Sequence, residues 1–283
     1  MSGYLASNLY LRAINFCRIS CCLLVNFSPG NLCGDTALTA IRIAPGNTTF
    51  EIVEHGVLMN KATKTLIWVP THLTGNYEVP VGTRHINKGA FEDCRISSVT
   101  MPSTVEDIGS CAFSGCHHLE KMNIPNSVKT IGHLAFDGCS GLTSISLPDG
   151  ITTIASEVFF YCKSLSSITI PTSVKTIKDE AFRYCKGLTE VHIPNSITEI
   201  GTYAFSNSGI KSVSIPNSVV TLKDKAFMEC DKLETIVLPS HLLSTLEKSV
   251  FYGCKMLKEI TLRYSDGTKK KVPVEEKWMN YAY

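Results

Sequence analysis

From residue 80 to residue 262 the hydrophobic positions return about every 23 residues, a period far longer than that of a helix or a strand. Residues 142–162 show one unit. Ile145 and Leu147 alternate with Ser144 and Ser146, which predicts a half-buried strand with the aliphatic pair inward. Pro148 has no N–H to give a ladder and ends the strand, and Asp149-Gly150 supplies turn chemistry. Ile151 and Ile154 then point inward across the back of a coil, and the short stretch to Cys162 predicts a helical turn. A unit of this size cannot bury its own apolar side. Stacked copies share one continuous core.

Three residue types carry the period independently. Prolines stand at 80, 102, 125, 148, 171, 194, 216 and 239, and phenylalanines at 91, 113, 136, 159, 182, 205, 227 and 251. Cysteine follows phenylalanine by three residues at 94, 116, 139, 162, 185, 230 and 254, with Ser208 in the remaining slot. Ile96 and Ile210 lie two residues after Cys94 and Ser208 where other units have three, so one deletion accounts for each 22-residue step between prolines. Leu243 and Leu246 sit one place late relative to Pro239, which predicts an insertion on the convex side. Such length changes are tolerated in connecting loops.

The unit Leu-x-x-Ile-x-Ile-Pro-x-Ser-Val-x-x-Ile-Gly-x-x-Ala-Phe-x-x-Cys resembles the BspA-type, or Treponema pallidum-type, leucine-rich repeats. The fullest match runs from Leu119 through Ile124, Pro125, Ser127, Val128, Ile131, Gly132, Ala135 and Phe136 to Cys139. The resemblance implies a β-rich leucine-rich-repeat solenoid with a parallel concave sheet and short helical or 3-10 turns on the convex side. It divides the chain into tandem repeats at 80–262, a partial repeat and hairpin unit at 35–79 and a C-terminal cap at 263–283. The hairpin unit is carried by Gly56-Val57-Leu58, Thr65-Leu66-Ile67 and Pro70, and an earlier repeat strand by residues 38–43. Residues 1–34 match nothing in the family. They read as an irregular capping segment, or as a secretory signal built on the apolar residues 19–27 after Arg12 and Arg18, although Asn26 interrupts that stretch. The family is typical of the surfaces of anaerobic bacteria and some protists, and several members are adhesins.

Composition changes this picture little. The formal charge of +2 offers no basic face for nucleic acid. No run of 18 or more apolar residues marks a spanning helix. The 12 cysteines raise the question of disulfides, but the ladder cysteines recur once per coil with parallel side chains, and Ser208 fills their slot, so a column of buried free thiols is expected. Cys111 and the vicinal Cys21-Cys22 lie outside that column; a Cys111–Cys116 bridge is not expected. No His or Cys spacing suits a metal, no nucleophile or phosphate-loop motif occurs, and the His117-His118 pair and the acidic pairs read as solvated turn residues. The chain is therefore expected to be neither an enzyme nor the holder of a cofactor or metal.

The solvent-facing strand positions form two rows. One holds Ser98, Lys121, Ser144, Ser167, Glu190, Ser212, Thr235 and Glu259, the other Thr100, Asn123, Ser146, Thr169, His192, Ser214, Val237 and Thr261. From these, Lys121, Asn123, Ser144, Ser146, Ser167, Thr169, Glu190, His192, Ser212, Ser214 and Glu259 are the candidate binding residues; Lys121, Glu190, His192 and Glu259 break the Ser/Thr monotony. The rows lack the aromatics that dominate tight interfaces, which predicts many weak hydrogen bonds to an extended segment. The expected partner is an extracellular or host protein or glycan, met at the cell surface or after secretion. The alternative is an intracellular interaction scaffold. At the C-terminal end, Asp266-Gly267 predicts a turn that brings Lys269–271 back, with Trp278 or Tyr281 covering the last coil.

Overall fold

Ile145 packs inward between Met122 and Ile168 because Ser144–Ser146 pairs in parallel with Lys121–Asn123 on one side and Ser167–Thr169 on the other. The computed structural model, which describes residues 40–43, 46–246 and 249–274, repeats that pairing coil after coil. Thr74–Glu78, Arg95–Thr100, Lys121–Asn123, Ser144–Ser146 and Ser167–Thr169 form a five-stranded parallel sheet. Ser212–Ser214, Thr235–Pro239 and Glu259–Arg263 form a second parallel run, closed by the antiparallel Lys269–Pro273. The expected single concave sheet is thus two half-sheets. Between them, only an isolated bridge from Glu190 to Ser212 remains. Both deletions inferred from the proline steps fall where the ladder is irregular. The coil shortened before Ile210 follows the break, and the coil shortened before Ile96 meets a register shift at Gly75/Asn76. Removing one residue ahead of a strand makes the strand slide against its neighbour.

The back of each coil is also β structure. The two-residue strands His85–Ile86, Asp107–Ile108 and Thr130–Ile131 stack in parallel, as do Thr153–Ile154, Thr176–Ile177, Glu199–Ile200 and Thr221–Leu222. Their second residue points inward and their first to solvent. The third side, around phenylalanine, is not the expected helical turn. Residues two before and two after each phenylalanine have positive φ, as in Leu134 (φ 56°) and Gly138 (φ 68°) about Phe136. A left-handed residue on each flank stops helix propagation. The N–H groups instead alternate in direction. Ser114 N donates to Cys111 O within its own turn at 3.0 Å, while Phe113 N donates to Ala135 O of the next coil at 2.8 Å. Among the described residues, 3-10 geometry is confined to Glu54–Gly56 and Ser240–Ser244. The latter absorbs the insertion before Phe251, but Leu242 takes the inward slot, and Leu243 and Leu246 pack only partly buried beside it.

The core is a column of rings. Phe91 through Phe251 are fully buried. From Phe113 to Phe227 successive centroids lie 5.2–5.5 Å apart with interplanar angles of 7–11°. Beside the rings run free thiols, which from Cys116 onward donate to the phenylalanine carbonyl one coil back, as Cys139 Sγ to Phe113 O at 3.1 Å and Cys162 Sγ to Phe136 O at 3.1 Å, while Cys94 Sγ at the start donates to Val69 O at 3.6 Å. These bonds satisfy a buried carbonyl that also accepts the cysteine N–H of its own turn, and they give the column its regularity. Burial pushes the Cys94 thiol up to about 12. Cys111, half-buried and outside the column, is also free.

Ahead of the parallel coils, Phe50–Ile52, Leu58–Asn60 and Thr65–Trp68 form an antiparallel meander. Ile41 packs on Leu58, Ile67 and Trp68, with no strand assigned at 40–43. The segments 1–34 and 275–283, including Trp278 and Tyr281, lie outside the described residues. The predicted turn at Asp266-Gly267 is present, and as the tip of an antiparallel hairpin it lays Lys269–Pro273 along the last coil. Lysines on such an edge strand oppose pairing with another chain.

Candidate functional site

Strand pleating sends Met122 and Ile145 into the core and leaves Lys121, Asn123, Ser144 and Ser146 exposed on either side of them. Parallel pairing then sets like beside like. Ser144 lies between Lys121 and Ser167, and Ser146 between Asn123 and Thr169, one strand spacing of about 4.8 Å apart. The backbone groups of Lys121–Asn123 and Ser144–Ser146 are used up in the ladder, so recognition there falls to side chains, while Ser167–Thr169 keeps an unladdered outer edge. None of these six side chains is engaged by another side chain among the described residues. Lys121 is the only cation in the two rows of this half-sheet. At its N-terminal margin Ser98 Oγ donates to Asn76 Oδ1 at 2.7 Å.

The remaining candidates are placed differently. Glu190 and His192 are exposed at the break, off either ladder except for the single Glu190 bridge. Ser212 and Ser214 begin the second half-sheet, where much of the hydrogen-bonding capacity is already committed. Arg263 reaches back across the face: its Nε donates to Asn217 Oδ1 at 2.9 Å, its Nη1 to Ser214 Oγ at 3.3 Å and its Nη2 to Ile215 O. Glu259 is ion-paired to Lys271 of the terminal hairpin at 3.0 Å. The structure therefore brings Lys121, Asn123, Ser144, Ser146, Ser167 and Thr169 together as one open surface and sets Ser214 and Glu259 apart under internal partners. Arg263 was missed by sequence reasoning, yet a signal existed. It pairs with Pro239 in the ladder, so the residue that ends the preceding strand is absent and the last strand runs on to Arg263.

The open half-sheet presents hydroxyls, an amide and one ammonium, which exchange hydrogen bonds but supply no activated nucleophile. On the opposite face His85 Nδ1 and Asp107 share a short hydrogen bond, each about a third exposed, with no neighbouring nucleophile described. Among the described residues no cluster of three or more His, Cys, Asp or Glu could hold a metal, and no helix is long and apolar enough to cross a membrane.

Comparison with known proteins agrees with this architecture. The chain resembles a leucine-rich repeat protein from Bacteroides ovatus at 26% identity and TM-score 0.51, over 76% of this chain and 69% of that one. A leucine-rich repeat protein from Eubacterium ventriosum matches at 28% identity and TM-score 0.52, over 64% of this chain and 55% of that one. A T. pallidum leucine-rich repeat protein matches at 28% identity, with TM-score 0.43, over 62% of this chain and 72% of that one. A comparison with curated proteins found no match. The model of the BspA type leucine-rich repeat region matches six copies, over residues 73–189 and 152–269, well over half of the chain. The stacked coils, the phenylalanine column and this match lead to one conclusion: the chain belongs to the BspA-type leucine-rich repeat family.

Proposed function

We propose that the protein is a non-enzymatic binding module that acts at the cell surface or after secretion and takes an extended protein or glycan segment along its first concave half-sheet. The observation that carries this reading is the pair of in-register rows Lys121-Ser144-Ser167 and Asn123-Ser146-Thr169, exposed and unengaged by other side chains. A ligand running across the strands meets a similar donor and acceptor set at every coil, so weak bonds sum without any one dominating. Glu190 and His192, at the far margin, set where such a segment ends.

Retention on arrays of matrix proteins and glycans tests this. Replacing Lys121 and Asn123 by Ala is expected to lower retention, and Glu190→Ala with His192→Ala to lower it less. Retention unchanged in both variants moves the site off this face. The free thiols of the core also suit a reducing compartment, which keeps an intracellular scaffold as the second reading. Protease treatment of intact cells separates the two. Digestion before lysis supports a surface position, and protection until lysis overturns it.

A further inference from the structure

The turns around phenylalanine carry an aromatic group that the concave rows lack. Phe160 and Tyr161 meet Tyr184 of the next coil, with ring centroids 5.5 and 4.9 Å away. Arg183 continues the group: its guanidinium lies 5.0 Å from the Tyr184 ring and 4.6 Å from that of Tyr203, one coil further on. Lys163 sits 4.5 Å from the Tyr161 ring, which is 40% exposed.

Two facts make this more than a scatter of surface residues. The first is backbone geometry. Tyr161 and Tyr184, each two residues after phenylalanine, occupy left-handed positions at φ 61° and 62°. Of the six other equivalent positions two residues after phenylalanine, three hold Gly115, Gly138 and Gly253, free of strain there, and three hold Asp93, Asn207 and Glu229, none of them aromatic. A bulky side chain in that region is unfavourable. The fold therefore loses stability to hold tyrosines where glycine serves elsewhere. The second is charge. The acids nearest the rings are committed: Glu157 to His133 at 3.7 Å, Glu180 to Arg183 at 2.8 Å, Asp224 to Lys225 at 3.2 Å, Asp179 to the Thr202 N–H and Glu229 to Asn207, while Asp231 lies in a cavity that it shares with Lys186, Lys232 and Lys255. Lys163 and Lys186, at equivalent places in adjacent coils, form no ion pair among the described residues and leave the aromatic group with a cationic flank.

We propose that this ridge is a second docking surface, for an acidic polypeptide segment that carries aromatic side chains. Tyr and Arg give rigid contact area of the kind that dominates protein interfaces, and the two lysines attract and orient the acidic chain. Anionic glycans and a second copy of this chain are the competing occupants.

The test uses the full chain and the random copolymer of glutamate and tyrosine, with polyglutamate and polysialic acid as comparison probes. The wild type is expected to bind the copolymer more tightly than either comparison probe, with an affinity that falls as salt rises. Tyr161→Gly with Tyr184→Gly removes the rings and relieves the backbone, so binding is expected to fall about tenfold or more while Tm holds or rises. Lys163→Glu with Lys186→Glu is expected to abolish binding with Tm unchanged. Lys121→Ala, on the concave face, leaves copolymer binding as it was, so this surface and the concave one succeed or fail separately. The proposal is overturned if the wild type does not bind the copolymer, if both double variants bind it undiminished, if polysialic acid is preferred, or if the ridge variants change self-association in sedimentation instead.

Discussion

The two concave half-sheets are cut from one coil plan and buried by one phenylalanine column, yet their outer faces differ. On the first, Lys121, Asn123 and the serines beside them face solvent unengaged. On the second, Arg263 ties itself to Ser214, Ile215 and Asn217, and Lys271 neutralises Glu259. The inward residues decide that coils stack; they do not decide what a face offers. Loss of one strand-ending proline in the last repeat is enough to turn a bare sheet into one crossed by its own side chain.

The largest effect lies where the halves agree. Phe182→Ala removes a fully buried ring from the regular part of the column and is expected to cost about 3–5 kcal/mol in urea denaturation. Phe251→Ala removes an equally buried ring, but its centroid is 6.3 Å from Phe227 and tilted by 26°, and it belongs to the last repeat. Its loss is expected to be smaller and confined to the terminal coil, read as hydrogen exchange that rises only beyond residue 227. Equal, global losses would mean that the looser stacking at this end carries no energetic difference.

The thiol column also runs through both halves, and it makes stability depend on pH. Cys94 titrates near 9.0 when unperturbed and at about 12 when buried. Above pH 9 the unfolded chain loses the proton that the folded chain keeps, so the unfolded state binds fewer protons and unfolding becomes more favourable as pH rises. The stabilisation is complete below pH 9 and is lost progressively up to pH 12. Tm is expected to fall from pH 8 to pH 10.5, with hydrogen exchange rising in both half-sheets. A fall restricted to the second half-sheet would point instead to its surface ion pair and Arg263. Under native alkylation at pH 8, Cys111 is expected to react ahead of Cys94, Cys116 and Cys139.

How much of this was legible in the sequence depends on which force set each feature. Burial set the inward pattern, and burial repeats, so the phenylalanine column, the thiol ladder, the half-buried strands and both deletions could be read from spacing, while the parallel concave sheet was implied by the family resemblance. The turn around phenylalanine could not. Its left-handed residues include Cys111, Leu134 and Tyr203, types that give no glycine signal, and the alternation of N–H direction depends on the neighbouring coil. The two-residue back strands were hidden for the same reason: Thr153–Ile154 is a strand only because Thr176–Ile177 lies beside it. At the site, the exposed rows were legible and their engagement was not, since Arg263 and Lys271 approach from parts of the last repeat that break the pattern.

The contrast between the half-sheets predicts two smaller effects. Arg263→Ala removes three hydrogen bonds from a partly exposed guanidinium and is expected to cost about 1 kcal/mol. It also bares Ser214, which makes the second face resemble the first. If the first half-sheet is the binding surface because its side chains are unengaged, Arg263→Ala extends that surface toward the C-terminal end and strengthens retention of long ligands while leaving short ones unchanged. Equal retention of both lengths would show that engagement by Arg263 is not what separates the faces.

Lys271→Ala gives the smallest change. Both partners of the Lys271–Glu259 pair are more than half exposed, so water screens the attraction, and its loss is expected to alter stability by less than about 0.5 kcal/mol. The consequence is electrostatic. Glu259 becomes an unneutralised carboxylate at the end of the row that Lys121 shares, and a cationic peptide probe is expected to bind the variant more tightly than the wild type, the difference vanishing at high salt. A stability loss well above that figure would show that the hairpin is held to the last coil by this pair rather than by its backbone ladder and by Val272 and Val274 packing on the core.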